Sequence, residues 1–303
     1  MDHTPKPFIL LAGLVVLLVL SAFIPAKWLG VKPVKSGYEP VDFTKLTTYA
    51  DDTDGNGKIS WRELVTTSEI GAQTLAESGN VLPDSEAVEL LNDPNNLSSS
   101  FTKNLYIADA YLSKSGITDA ESQQKVLDQL VQEEANKLVS KTYVYADIRV
   151  AKTETIQSVR DYGNKVASIM KGMITLDSIE KDSNGLMNFM NTGDKAAVAP
   201  LVQDYQAMDT RITQMATLTI PPSATAYHLI ALNQMTKYRD TLYNMSQAPT
   251  DLLRTNLVFK GYPNVTVETL TLYDQFSKYF DLKNIVYARN DPGYVFTVGY
   301  TLK

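Results

Sequence analysis

The chain has 303 residues and a net charge of −6, long enough for one large domain or two small ones with a sizeable core. It has no cysteine and only two histidines, His3 and His228, which excludes disulfides, thiolate metal sites, a cysteine nucleophile and cysteine lipidation, and leaves little room for histidine-based chemistry. No run of Lys or Arg suggests a surface that tracks phosphates, so nucleic acid is not an expected partner.

Residues 1–7 form a short tail. Residues 8–24, FILLAGLVVLLVLSAFI, carry no charge and are bracketed by Pro7 and Pro25, with Trp28 following. At ~1.5 Å of rise per residue that run covers roughly 25 Å, and extension through Val31 is enough to cross a bilayer. Residues 8–31 are therefore predicted to be a transmembrane anchor. A cleaved signal peptide would want a small residue three positions before the cut, and Leu20 and Ile24 stand there instead. Lys27, Lys32 and Lys35 after the span, against Lys6 before it, pull the downstream domain towards the cytoplasm. A short tail, a single span and then a large domain is the usual build of an exported ectodomain. The expectation is a single-pass protein of the cell membrane with an extracytoplasmic domain. Residues 32–42, with Pro33, Gly37 and Pro40, read as a linker.

Residues 43–80 contain the most specific pattern in the chain. In DDTDGNGKISWRE, Asp52, Asp54 and Asn56 alternate, Gly57 follows, and Glu63 closes a stretch of twelve. A hard divalent cation takes six to eight oxygens at ~2.3–2.6 Å. Alternating short Asp and Asn side chains converge on one side of a turn, and glycine permits the sharp bend that follows. Lys58 can contribute its backbone carbonyl, Ser60 its hydroxyl or a bridging water, and Glu63 both carboxylate oxygens. Ile59 would pack inward. Every constrained position fits D-x-[DN]-x-[DN]-G-x5-E, and the stretch resembles the EF-hand family and the shorter dockerin-type loops. That resemblance implies a Ca2+ site formed by Asp52, Asp54, Asn56, Lys58, Ser60 and Glu63. It departs from the family in having no second loop. KDSNG at 181–185 opens in a similar way, but no carboxylate closes it. A lone loop implies a static clasp rather than a paired sensor.

Residues 81–303 are expected to form a helical bundle. Phe101, Leu105, Ala108 and Leu112 recur at helical spacing over 98–113. Val126, Leu127, Leu130, Val131, Leu138 and Val139 give an apolar face over 118–140, with Glu133 and Glu134 expected on its solvated side within reach of Lys137. TYVYADIRV, 142–150, reads as irregular or helical. One long helix is predicted over 153–178, on Ile156, Val159, Tyr162, Val166, Ile169 and Met173. Gly185 and Gly193 bracket a predicted loop. Helices follow over 194–218 and 223–247, the second capped by Ser223 and carrying Tyr227, Ile230, Tyr238, Leu242 and Met245. Shorter helices are predicted over 250–259 and 264–281, and extended structure over 293–300. The expected fold class is mainly α: a transmembrane helix, then an antiparallel helical bundle with one EF-hand-like loop.

Chemistry is sparse. There is no H-E-x-x-H, no G-x-S-x-G and no phosphate-binding glycine loop. His228, within SATAYHLIAL, is expected to be a satisfied core residue. Asp204, Asp209 and Asp240 are scattered. The expectation is a non-enzymatic, membrane-anchored, calcium-binding envelope protein that meets a protein partner. The alternatives are an envelope hydrolase with carboxylates in a bundle groove, or a ligand-sensing ectodomain.

Overall fold

The computed structural model describes residues 93, 95–116 and 119–298. The predicted span 8–31, the linker 32–42 and the loop 52–63 lie outside them. The described residues are mainly α-helical. No helix among them is long and apolar enough to cross a membrane. They belong to two compact units. The first takes the residues up to Leu138 together with Thr250–Arg254, and the second takes Val139–Pro249 together with the residues from Thr255 onward.

In the first unit, α1 (Leu97–Lys114) packs on α2 (Ala120–Asn136). Leu97, Phe101, Ala108 and Leu112 repeat at helical spacing on α1 and are buried, as are Val126 and Leu130 on α2. Asp119 caps α2 by accepting the Ser122 N–H at 2.8 Å. The predicted face of α2 runs too far, since the helix stops at Asn136 and Val139 is 81% exposed. Glu134 also departs from expectation: it is fully buried rather than solvated. Its carboxylate accepts from Lys137 Nζ at 2.7 Å and from Ser100 Oγ at 2.8 Å, so the expected ion pair does form. A buried charge is tolerable only with partners of this kind.

The second unit holds α3 (Ile156–Met170), α4 (Leu176–Thr192), α5 (Ala199–Ala216), α6 (Thr225–Ser246), the later part of α7 (Leu252–Phe259), α8 (Tyr262–Leu282) and α9 (Tyr294–Val298). Strand β1 (Arg149–Val150) pairs in parallel with β2 (Thr219–Ile220), with Arg149 opposite Thr219 and Val150 opposite Ile220. Helix α6 packs on both α5 and α8, α4 packs on α5, and α9 packs on α8. The segment 142–150 is irregular up to a 3-10 turn at Tyr145–Asp147 and then extends into β1.

The helix predicted over 153–178 is two helices. Thr155 and Thr175 each start one, and each exchanges hydrogen bonds with a serine three residues on, Ser158 and Ser178. Between them Gly172 adopts φ 62°, which a Cβ disfavours. The end of α3 is held by Arg211, whose guanidinium donates to the carbonyls of Ile169 and Lys171, and by the Tyr273 hydroxyl, which donates to the Met170 carbonyl. A cation at a helix C-terminus also favours the backbone dipole. Ile156, predicted to face the core, is 73% exposed in the first turn of α3.

The predicted loop from Gly185 is absent. Gly185 lies inside α4, where an added Cβ would collide with the Ala197 carbonyl oxygen, and only Gly193 (φ 71°) ends the helix. Ser223 does not cap α6. Its hydroxyl meets Tyr279 Oη at 2.8 Å and its N–H donates to Glu154 at 2.9 Å. Ile230 points to solvent, whereas Tyr238, Leu242 and Met245 are buried as predicted. The C-terminal segment is also corrected, since Tyr294–Val298 is a helical turn rather than extended. That turn drives Phe296 into a cluster with Phe276, Phe280 and Tyr287, where its ring lies 5.2 Å from that of Phe280.

Candidate functional site

Asp52, Asp54, Asn56, Lys58, Ser60 and Glu63 all lie outside the described residues. Among the described residues no group of three His, Asp or Glu side chains could hold a metal ion. The unusual chemistry of the second unit lies in two buried ionisable groups and one open groove.

The first group is Asp182 on α4. It is fully buried, and its Oδ1 has no hydrogen-bond partner. Its Oδ2 accepts from Tyr262 Oη, on α8, at 3.2 Å. Tyr262 in turn hydrogen-bonds the hydroxyl of Tyr238 on α6, and the two rings stack with centroids 6.2 Å apart. Asp204 on α5 is close enough to add repulsion. Burial first, and Asp204 second, push the Asp182 carboxyl up to about 7, with the Tyr262 hydroxyl opposing them. Burial also raises Asp204. These two carboxyls do not line an open cleft, because Asp182 is sealed from solvent.

The sequence missed this residue. Asp182 was visible only as the opening of KDSNG, a calcium loop without a closing carboxylate. A usable signal existed: Ile179, Asp182, Leu186 and Phe189 step by three or four, which puts the acid in an apolar slot of a helix.

The second group is His228 on α6. It is fully buried as predicted, and its Nδ1 lies 2.9 Å from Tyr162 Oη. Its Nε2 makes no well-formed hydrogen bond, although the Met215 carbonyl faces the ring. Burial drives its pKa down to about 4, and the Met215 carbonyl opposes that only in part. A neutral imidazole sealed among Tyr162 and its neighbours has no route to a substrate.

The groove has a volume of about 450 Å³ and is lined by Asn164, Lys165, Ser168, Gln214, Thr217 and Pro292, among others. It is shallow and open. Asn164 is already committed to the Gly293 N–H at 2.9 Å, and Thr217 to the Gln214 carbonyl at 2.8 Å. Comparison with family models, with characterised proteins and with solved structures finds no match to this chain.

Proposed function

We propose that the protein is a membrane-anchored, calcium-binding component of the cell envelope, with residues 8–31 as its anchor and residues 52–63 as its calcium loop. The single observation that carries this reading is the sequence of that loop, in which every position constrained by a twelve-residue calcium site holds a suitable residue. The donor set fits a hard cation: three carboxylates, one amide, one hydroxyl and one backbone carbonyl, with no soft ligand. Asp52, Asp54 and Glu63 repel one another without the ion. With it the loop closes and Ile59 docks, which stiffens the segment next to the membrane. The helical domain then presents a surface to a protein partner, with a structural or interaction role and no catalysis. An antiparallel arrangement of its helices is part of this proposal.

Three carboxylates imply modest affinity, on the order of 10⁻⁵–10⁻³ M, as in extracellular modules. The test is calcium titration by calorimetry on the full chain in detergent, beside thermal unfolding with and without the ion. At a Kd of ~10⁻⁴ M, ~10 mM Ca2+ should stabilise the folded state by about 2.7 kcal/mol. Glu63→Gln should abolish both the binding heat and the rise in melting temperature. A wild-type chain that gives neither at millimolar Ca2+ refutes the proposal.

A further inference from the structure

Helix α4 has seventeen residues, and only two of them, Asp182 and Leu186, are buried. The neighbouring helix α3 buries seven of its fifteen. Ile179 and Phe189 add half-buried contacts with the core, so the fully enclosed part of the α4 grip is two side chains, and one of them can ionise. The contact is nevertheless close. Gly185 abuts the Ala197 carbonyl, and the 3-10 turn Lys195–Val198 packs directly on α4. We propose that α4, with the turn that follows it, is an acid-strengthened latch: it docks firmly while Asp182 is a neutral acid and loosens when Asp182 becomes a carboxylate.

The geometry states the reason. A neutral carboxyl can sit at this position with the Tyr262 hydroxyl on one oxygen. A carboxylate would keep one bare oxygen away from water, and a buried, underpartnered charge is among the costliest groups in a protein. Among the described residues no cation compensates. From α5 the facing ionisable group is Asp204, of the same sign. From α8 it is Tyr262 and from α6 Tyr238, both neutral, burial holding their pKa values high. On α4 itself Lys181 pairs with Asp177 at 2.6 Å, on the exposed side. The turn carries Lys195, preceded by its cap Asp194, and both are exposed. Arg211 on α5 acts on Asp204, and its guanidinium is bound to the end of α3.

The direction follows from linkage. The acid holds its proton up to about pH 7 when docked, but only to about pH 4 when α4 is released into water. Release therefore costs no proton below pH 4, becomes about tenfold easier per pH unit from pH 4 to 7, and is level above pH 7.

Hydrogen exchange on the full chain at pH 5, 6, 7 and 8, corrected for intrinsic rates, tests this. Protection of the amides of 176–192 should fall about tenfold per unit from pH 5 to 7 and then level off, while α6 does not follow. Asp182→Asn should hold α4 protection constant across the series. Tyr262→Phe removes the one donor that favours the carboxylate, so the fall should continue to higher pH. The latch is refuted if α4 and α6 change in parallel in the wild type. It is equally refuted if Asp182→Asn keeps the wild-type dependence. Should that variant not fold, an unmoved plateau in Tyr262→Phe refutes it.

Discussion

The carboxylate of Asp251 accepts the backbone N–H of Leu97 at 2.7 Å across 154 positions of sequence, and so caps a helix to which it does not belong. The same carboxylate accepts the Ser98 N–H at 3.0 Å and the Ser98 hydroxyl at 2.8 Å, and it is buried. The first turn of a helix leaves N–H groups without intrahelical partners, and a carboxylate there also favours the backbone dipole. Arg254 completes the arrangement, with Nε 3.0 Å from Asp251 Oδ2. The first unit is thus closed by a distant piece of chain.

Asp251→Ala should therefore cost more than an ordinary surface cap. It strands the first N–H groups of α1 and leaves Arg254 without its carboxylate, for a loss of about 2–4 kcal/mol. Urea unfolding reads the magnitude, and hydrogen exchange at residues 97–100 reads the location. A loss below ~0.5 kcal/mol would mean that the cap contributes nothing.

Gly163 gives a prediction of a different kind. It lies in the middle of α3, where alanine ordinarily favours helix by up to ~1 kcal/mol. Here an added Cβ would overlap the Tyr287 hydroxyl and approach the Phe280 ring edge. Gly163→Ala should be destabilising, by roughly 1–3 kcal/mol, as overpacking of a dense core usually is. Tyr287→Phe removes the overlapping oxygen, so the double variant should recover part of the loss. Denaturation of the two single variants and the double gives the coupling directly. Strict additivity would show that the ring and the glycine do not press on each other.

The mainly helical class was legible because apolar residues recur at helical spacing, as at Phe101, Ala108 and Leu112, and along Val159, Tyr162, Val166 and Ile169. Boundaries were less legible, for local reasons. Within 153–178 the break is marked only by Gly172 and the Thr175–Ser178 cap, which the apolar spacing running on to Met173 overrides, and Arg211 and Tyr273 hold the end of α3 from other helices. Gly185 looks like a breaker until it is seen that α4 needs a missing side chain to pass the Ala197 carbonyl. Tyr294, Phe296 and Val298 alternate like a strand, yet only Phe296 is buried, and a helical turn delivers it to Phe280. Of the polar sites, His228 on its apolar helix was legible as a core residue. Asp182 and Glu134 were not: residue type argues for solvent, the apolar spacing around Asp182 is a weak counter-signal, and the hydroxyls that receive them, of Tyr262 and Ser100, come from other helices. The proposed calcium ligands are the opposite case: a local pattern carries the proposal, and their placement lies outside the described residues.

His228 and Asp182 set the pH dependence of stability against one another. The histidine titrates at about 4 when folded and near its ordinary value of about 6.5 when unfolded. Between those values the unfolded chain binds more protons, so this residue adds stability at pH 6.5 and above that is lost as pH falls towards 4. At 1.36 kcal/mol per unit, that loss is ~3 kcal/mol at most. Asp182 has the opposite sign. Its folded value near 7 lies above the ordinary carboxyl range, so its contribution is complete below about pH 4 and disappears as pH rises to 7, on a similar scale. Between pH 4.5 and 6.5 the two slopes largely cancel, and from 6.5 to 7 only that of Asp182 remains. Urea unfolding across pH 4.5–7.5 should separate them. His228→Gln should make the protein lose stability steadily as pH rises to 7, since the opposing histidine is gone. Asp182→Asn should make it lose stability as pH falls below 6.5. Subtracting each variant from wild type removes the surface carboxylates common to all three. Two differences of the same sign, or two flat ones, would show that these groups do not carry the dependence assigned to them.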